Sequence, residues 1–342
     1  MRPLKFRPVT IGTIWGSEDW ILSAMEGRQT VCISEGPDCG KTLSELVDIY
    51  KEELVGGKVW KAFGNRFPML VKYINSNQQL SVQVHPDDGM AREKGLPNGK
   101  TEMWYVLKAE EDSELLLGFS KKFSENEFKA IVHNSIKEAD VRKGEKTLED
   151  VLNRFSPKKG DWYFIPAGTV HSIGAGTRIL EIQQPSDTTY RLYDFNRVDI
   201  EGKRRHLDVD DAMRAIDFDE KHEAFVEKQR NVFDCKTDVS GPSTVSLARC
   251  PHFVSNFIRF SDVQDSGIEK FCLLDNSMWE TFTAVVCTAG SGTLFFSSLP
   301  GGCIKDSMKV SEGDLLLLPA ALGAVEIRSA GGLQIVEAHL EL

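Results

Sequence analysis

The feature that most limits what this chain can fold into is a segment that occurs twice. Gly160-Asp161-Trp162-Tyr163-Phe164-Ile165-Pro166-Ala167-Gly168-Thr169-Val170-His171 has a counterpart in Gly313-Asp314-Leu315-Leu316-Leu317-Leu318-Pro319-Ala320-Ala321-Leu322-Gly323-Ala324. Each copy reads as a turn, a four-residue apolar strand and a proline turn. Two copies in 342 residues point to two related β-barrels, because a solenoid needs at least three stacked repeats to bury a continuous core. The first copy ends on a histidine and the second on an alanine, so metal chemistry is expected in the first barrel alone.

Short apolar or alternating runs fill the rest of the chain, among them Leu80–His85, Met103–Leu107, Glu114–Phe119, Arg178–Gln183, Phe253–Phe260, Phe282–Cys287 and Leu333–Ala338. Gly, Pro and Asn separate them, which is the signature of a mainly β fold. Helical pattern is confined to a few short patches. Thr42 and Glu45 form a capping box at the start of one; Phe123–Val132, Thr147–Phe155 and Val209–Ile216 are the others. The charged stretch Asp217–Lys228 has no strand pattern. It places a domain boundary there, with an N-terminal metal-bearing domain over 1–225 and a C-terminal barrel without metal ligands over 226–342.

Forty-one Lys and Arg against fifty-one Asp and Glu give a net charge of −10. An acidic chain is a poor nucleic-acid binder, since that affinity rests on neutralising phosphates. A small basic pocket for an anionic metabolite remains compatible with it. No run approaches the ~20 apolar residues that span a bilayer, and Met1–Arg7 is not followed by the apolar run of a signal peptide. The seven cysteines contain no Cys-x-x-Cys pair, so scattered reduced thiols in a cytoplasmic protein are expected.

Four residues stand out as a mixed nitrogen and oxygen ligand set. Strand alternation places Ser81, Gln83 and His85 on one face and Leu80, Val82 and Val84 on the other. Glu102 opens a strongly apolar strand with Lys100 two residues before it. His171 follows the Pro166–Gly168 turn and can point into a barrel. Two imidazoles and a carboxylate suit zinc, and iron, manganese, cobalt or nickel as well. With Glu102 the single anionic ligand, a bound divalent ion keeps a net positive charge and can polarise a hydroxyl or carbonyl. Glu181 shares a strand face with Gln183 and can serve as a general base beside the metal. Arg191 lies ten residues on, in Ser186–Arg197, a stretch dense in hydroxyls, tyrosines and arginines, and its guanidinium can clamp a phosphate or carboxylate. Gly36–Thr42 and Gly95–Thr101 imitate phosphate loops, but each has one residue too few between its glycines.

These motifs resemble the type I mannose-6-phosphate isomerase family of zinc-dependent cupin enzymes. The matching pieces are Gln83-Val84-His85-Pro86, Lys100-Thr101-Glu102-Met103-Trp104-Tyr105, Pro166–His171 and Tyr190–Arg197, with Ile14-Trp15-Gly16 similar to an N-terminal signature. The resemblance is strongest over about 10–215 and is with the shorter bacterial form. It implies two cupin-type jelly-roll barrels, one zinc held by Gln83, His85, Glu102 and His171, and a sugar-phosphate site lined by Lys100, Glu181 and Arg191. The implied reaction interconverts mannose 6-phosphate and fructose 6-phosphate through an enediol, with Glu181 as base and Arg191 and Lys100 as phosphate cations, Lys100 alternatively assisting proton transfer. One departure is Asp87-Asp88, where some relatives carry a lysine. Two other readings compete: a non-haem iron cupin oxygenase, and a sugar-binding cupin without turnover. Neither nucleic acid nor membrane is an expected partner, and the pattern leaves monomer and homodimer open.

Overall fold

The computed structural model describes residues 1–137, 146–198, 201–218, 231–233, 242–260, 270–297 and 306–342. The expected boundary near 225 lies outside them. The chain divides into two compact units, neither of them one contiguous stretch. The first comprises Thr10–Asp19 and Lys72–Asn231; the second comprises Met1–Val9, Trp20–Val71 and Val232–Leu342. No helix among the described residues is long and apolar enough to cross a membrane.

The first unit is built on two sheets. One carries, in neighbouring order, the strands Trp162–Ile165, Glu102–Ala109, Thr177–Gln183 and Leu70–Ser76. The other runs Tyr190–Tyr193, Val82–Val84, His171–Ile173, Leu115–Phe119 and Leu152–Phe155. Trp104, Val106, Leu115, Leu117, Ile165, Ile173 and Ile179 pack together as one buried core. Val82, Val84, Leu116 and Leu192, on the other face of the second sheet, pack with Phe128 and Val132 of the helix Glu125–Lys137 and with Ala212 and Met213 of the helix Val209–Ala215. Alternation therefore leaves Gln83 on the face opposite Val82 and Val84.

The second unit has the same construction. The strands Val254–Arg259, Gln334–His339, Thr283–Ala289, Leu315–Leu318 and Leu4–Arg7 are neighbours in one sheet, and Lys270–Asp275, Ala324–Ser329, Ser291–Phe296 and Asp306–Ser311 in another. The duplicated segment is a duplicated turn. Gly160 and Gly313 take φ of 88° and 89°. In each copy the aspartate that follows uses its side chain to accept a backbone amide three residues back, Lys158 N to Asp161 at 2.7 Å and Ser311 N to Asp314 at 2.9 Å. The two turns also enter equivalent ladders: Gly160 N donates to Val106 O and Gly313 N to Cys287 O. A conformation that favours glycine and a side chain that closes its own turn explain why Gly-Asp stands in both places.

Two local expectations change. Thr147–Phe155 is not a helix: a single 3-10 turn, Leu148–Asp150, leads into the strand Leu152–Phe155, which pairs with Leu115–Phe119. Sheet pairing there overrides the capping signal that Thr147 and Asp150 do supply. Leu80 lies before the strand and packs in the core with Trp104 rather than with Val82 and Val84. The strands Leu4–Arg7, Val9–Thr13 and Gly16–Leu22 go unforeseen, the first two being short alternating runs and the third without alternation. The capping box at Thr42 forms as expected, at the head of the helix Leu43–Tyr50.

Gly313→Ala tests the turn. A Cβ at this position meets no atom within 4 Å, so any loss comes from backbone conformation. The expected cost is about 1–2 kcal/mol, read as a lower urea midpoint with an unchanged slope.

Candidate metal centre and its charged surroundings

Two sheets deliver the ligand candidates to one point. The ladder pairs His171 with Gln83 in one sheet and Gln183 with Glu102 in the other. Paired residues share a face, so Glu102, Gln183 and, two residues back, Glu181 project to one side. His85, Glu102 and His171 offer ligand atoms that all lie within 4.8 Å of one another, and all three are buried. His85 Nε2 is 3.5 Å from Glu102 Oε2, and His171 Nε2 is 3.6 Å from Glu102 Oε1. A tetrahedral ion with bonds of about 2.0–2.2 Å has ligand edges of about 3.3–3.6 Å. The two edges to Glu102 match that range, and the donor chemistry suits a divalent first-row metal.

Hydrogen bonds fix which nitrogen each imidazole presents. His85 Nδ1 donates to Thr188 O and His171 Nδ1 to Thr169 O, both at 2.9 Å. That leaves Nε2 of each ring as the lone-pair donor, the arrangement by which backbone carbonyls orient metal-binding histidines. Burial, above all, pushes both rings toward the neutral form, His85 well below the usual value and His171 to about 4. Gln83 joins from the same strand face: its Nε2 is 3.3 Å from His171 Nε2, and its Oε1 accepts from Ser81 Oγ at 3.0 Å. A half-turn of the amide exchanges oxygen for nitrogen at the metal-facing position.

Two lysines and two further carboxylates surround this set. Lys100 Nζ lies 2.7 Å from Glu102 Oε2, 3.0 Å from His85 Nε2 and 3.5 Å from Glu181 Oε1. Lys100 and a bound cation thus address some of the same lone pairs. Lys72 Nζ lies 3.2 Å from Glu181 Oε1 and 3.1 Å from Glu18 Oε2. Burial works against the Lys72 ammonium, but Glu18, Glu181 and Glu102 together outweigh it and raise its pKa. The Glu181 pKa is raised as well, which for a carboxyl group favours the neutral form. Burial first, then the Glu102 charge, raises its pKa against the pull of Lys72 and Lys100. A carboxyl group held close to the point of exchange can take and return a proton. Trp104, register partner of Glu181, lies beneath the set with its ring edge-on to His171 at 5.3 Å.

Arg191 pairs with Gln83 across the ladder and is half-buried. Its Nε donates to Ser81 Oγ at 3.2 Å and its Nη1 to His206 O at 3.0 Å. All seven residues singled out from the sequence therefore fall in this region of one unit. Lys72 and Glu18 were missed. The available signal was a lone lysine inside the apolar run Met69-Leu70-Val71-Lys72-Tyr73-Ile74, where a buried ammonium demands a buried partner.

A family model described as phosphomannose isomerase type I, catalytic domain, matches residues 17–131, a span that holds Lys72, Gln83, His85, Lys100 and Glu102. The chain is 31% identical over 363 residues to mannose-6-phosphate isomerase ManA of Bacillus subtilis (strain 168), covering 99% of both. It is 30% identical over 326 residues to a mannose-6-phosphate isomerase of Streptococcus mutans serotype c, covering 94% of this chain and 88% of that one. The crystal structure of the mannose 6-phosphate isomerase from Bacillus subtilis matches with a TM-score of 0.78 at 26% identity, over 99% of this chain and all of that one.

His171→Ala and Glu102→Gln should each leave purified protein with little bound metal by elemental analysis, against about one equivalent for the parent chain. Lys72→Met leaves the buried Glu181 and the half-buried Glu18 without their shared cation. Its expected cost is about 3–5 kcal/mol, read in chemical denaturation.

Proposed function

The chain belongs to the type I phosphomannose isomerase family, and from that premise we propose that its buried His–Glu–His cluster, with Glu181 and Arg191 beside it, interconverts mannose 6-phosphate and fructose 6-phosphate with zinc as the metal. The observation that carries this reading is the placement of Glu181, a buried carboxyl group flanked by two ammonium groups and next to a neutral two-histidine, one-carboxylate set.

The reaction moves one proton between adjacent carbons and leaves the rest of the sugar intact. Gln83, His85, Glu102 and His171 would hold the zinc, which supplies a Lewis acid for the oxygens at those carbons. Glu181 is assigned the proton transfer. It is buried beside the metal-binding set, and Lys72 on one oxygen holds the carboxyl in place. Lys100 is near enough to both Glu102 and Glu181 to neutralise negative charge as it develops. Arg191, on the strand beside that of Gln83 and more open to solvent, is assigned the phosphate, a dianion suited to the planar guanidinium fork. Phosphate held at a distance from the chemistry lets binding energy position the reacting carbons. A non-catalytic binder has no use for a proton-accepting carboxyl at this point.

The test is formation of fructose 6-phosphate from mannose 6-phosphate in a coupled assay, before and after chelation, with zinc added back. Activity that chelation removes and zinc restores is the expected result; zinc-replete protein without turnover would sink the isomerase reading. Glu181→Gln should lower kcat by about 10²–10⁴-fold, the usual range for a lost general base, with zinc content unchanged.

A further inference from the structure

The turn after Arg191 holds a buried carboxylate that the reading above does not use. Asp194 is 4% exposed. It accepts from two guanidinium groups: Arg205 through Nε to Oδ2 at 2.7 Å and through Nη2 to Oδ1, and Arg197 through Nη2 to Oδ1. Burial opposes the charged form, but those hydrogen bonds outweigh it and hold the carboxyl below its usual range. The next two residues, Phe195 and Asn196, take φ of 53° and 51°. A phenylalanine in the left-handed region is rare and persists only where the surroundings impose it. Here Arg197 lies over the Phe195 ring at 5.3 Å and Arg204 donates to Asn196 Oδ1 at 2.9 Å.

The two arginines that grip Asp194 lead to two different segments, and each segment carries one of the acceptors that hold the Arg191 side chain. Arg197 also donates through Nη1 to Gln79 O, two residues before Ser81. Ser81 Oγ accepts Arg191 Nε. Arg205 adjoins His206, whose carbonyl accepts Arg191 Nη1. Two residues further, Asp208 brackets the Arg191 backbone, its N donating to Arg191 O at 2.8 Å and its Oδ2 accepting Arg191 N at 3.1 Å. We infer that Asp194 is a positioning residue for Arg191: one buried carboxylate, through Arg197 and Arg205, pins both segments that aim the guanidinium. The consequence for phosphate recognition rests on the role proposed for Arg191 above. Asp194 also answers a charge problem. Arg191, Arg197 and Arg205 lie close enough that Arg205 and Arg197 both weigh on the Arg191 charge, and Asp194 opposes them.

The experiment is a double-mutant cycle on zinc-loaded enzyme, paired with a structure. Asp194→Asn preserves shape and removes charge. It should raise KM for mannose 6-phosphate by about 10–100-fold, the scale of a 1 Å misplacement, with zinc content unchanged. Because Asp194 acts through Arg191, the double variant Asp194→Asn/Arg191→Ala should be no worse than Arg191→Ala alone. Losses that multiply overturn the inference, as a general loss of packing would produce. Should Asp194→Asn fail to fold, Arg205→Gln, at a more exposed site, enters the same cycle. A crystal structure of the variant reads the inference without turnover: Arg191 displaced from Ser81 Oγ or His206 O is expected, and both bonds intact would refute it. Zinc-loaded parent enzyme that is inactive, with Arg191 displaced in the variant, would remove the isomerase reading and leave the positioning role standing.

Discussion

The candidate site of the first unit depends on charge held largely away from water. Glu18, Glu102 and Glu181 face Lys72 and Lys100 within contacts of 2.7–3.5 Å. Each buried ion costs several kcal/mol, and one contact near 4 Å supplies only about 4 kcal/mol at an effective dielectric of 20. No single pair offsets the burial of its two members. The arrangement holds as a network, in which Lys72 serves Glu18 and Glu181 and Lys100 serves Glu102 and the same Glu181. Three negative charges against two positive leave the neutral-histidine cluster with a deficit that a divalent cation reverses, so the same set that tolerates burial also invites a metal.

Alternation along strands made most of this site legible. Gln83 with His85, and Glu181 with Gln183, could be assigned to shared faces from spacing alone, and Glu102 from its place at the mouth of an apolar strand. What spacing could not show was which strands pair. The ladder that sets Gln183 opposite Glu102 comes from the sheet as a whole, and only that register puts Glu181 over Trp104 and within reach of Lys72. Lys72 was hidden because its strand reads as plain core. Thr147–Phe155 was misread for a related reason. Its start carries a true capping signal, and the residues after Asp150 are claimed by a neighbouring strand far off in sequence.

The repeat was legible in the Gly-Asp turns, and the ladders show how far it extends. In the first unit Ile165 and Gln183 flank Glu102; in the second Leu318 and His339 flank Thr283. His171 pairs with Gln83, and Ala324 with Asp275. Counting from these pairs, Glu337 stands where Glu181 does. It is buried and hydrogen-bonded to His339 at 2.9 Å, and His339 stacks on Trp279 at 4.0 Å. The second unit thus fills with a His–Glu pair and an aromatic ring the ground that the first devotes to its cluster.

That correspondence separates two kinds of instruction in one polypeptide. The turns and ladders specify a frame; a handful of inward side chains specify what the frame does. Asp275, Thr283 and Ala324 already occupy the stations of Gln83, Glu102 and His171, so an engineer seeking a second metal in this chain would need to change side chains and leave the backbone alone.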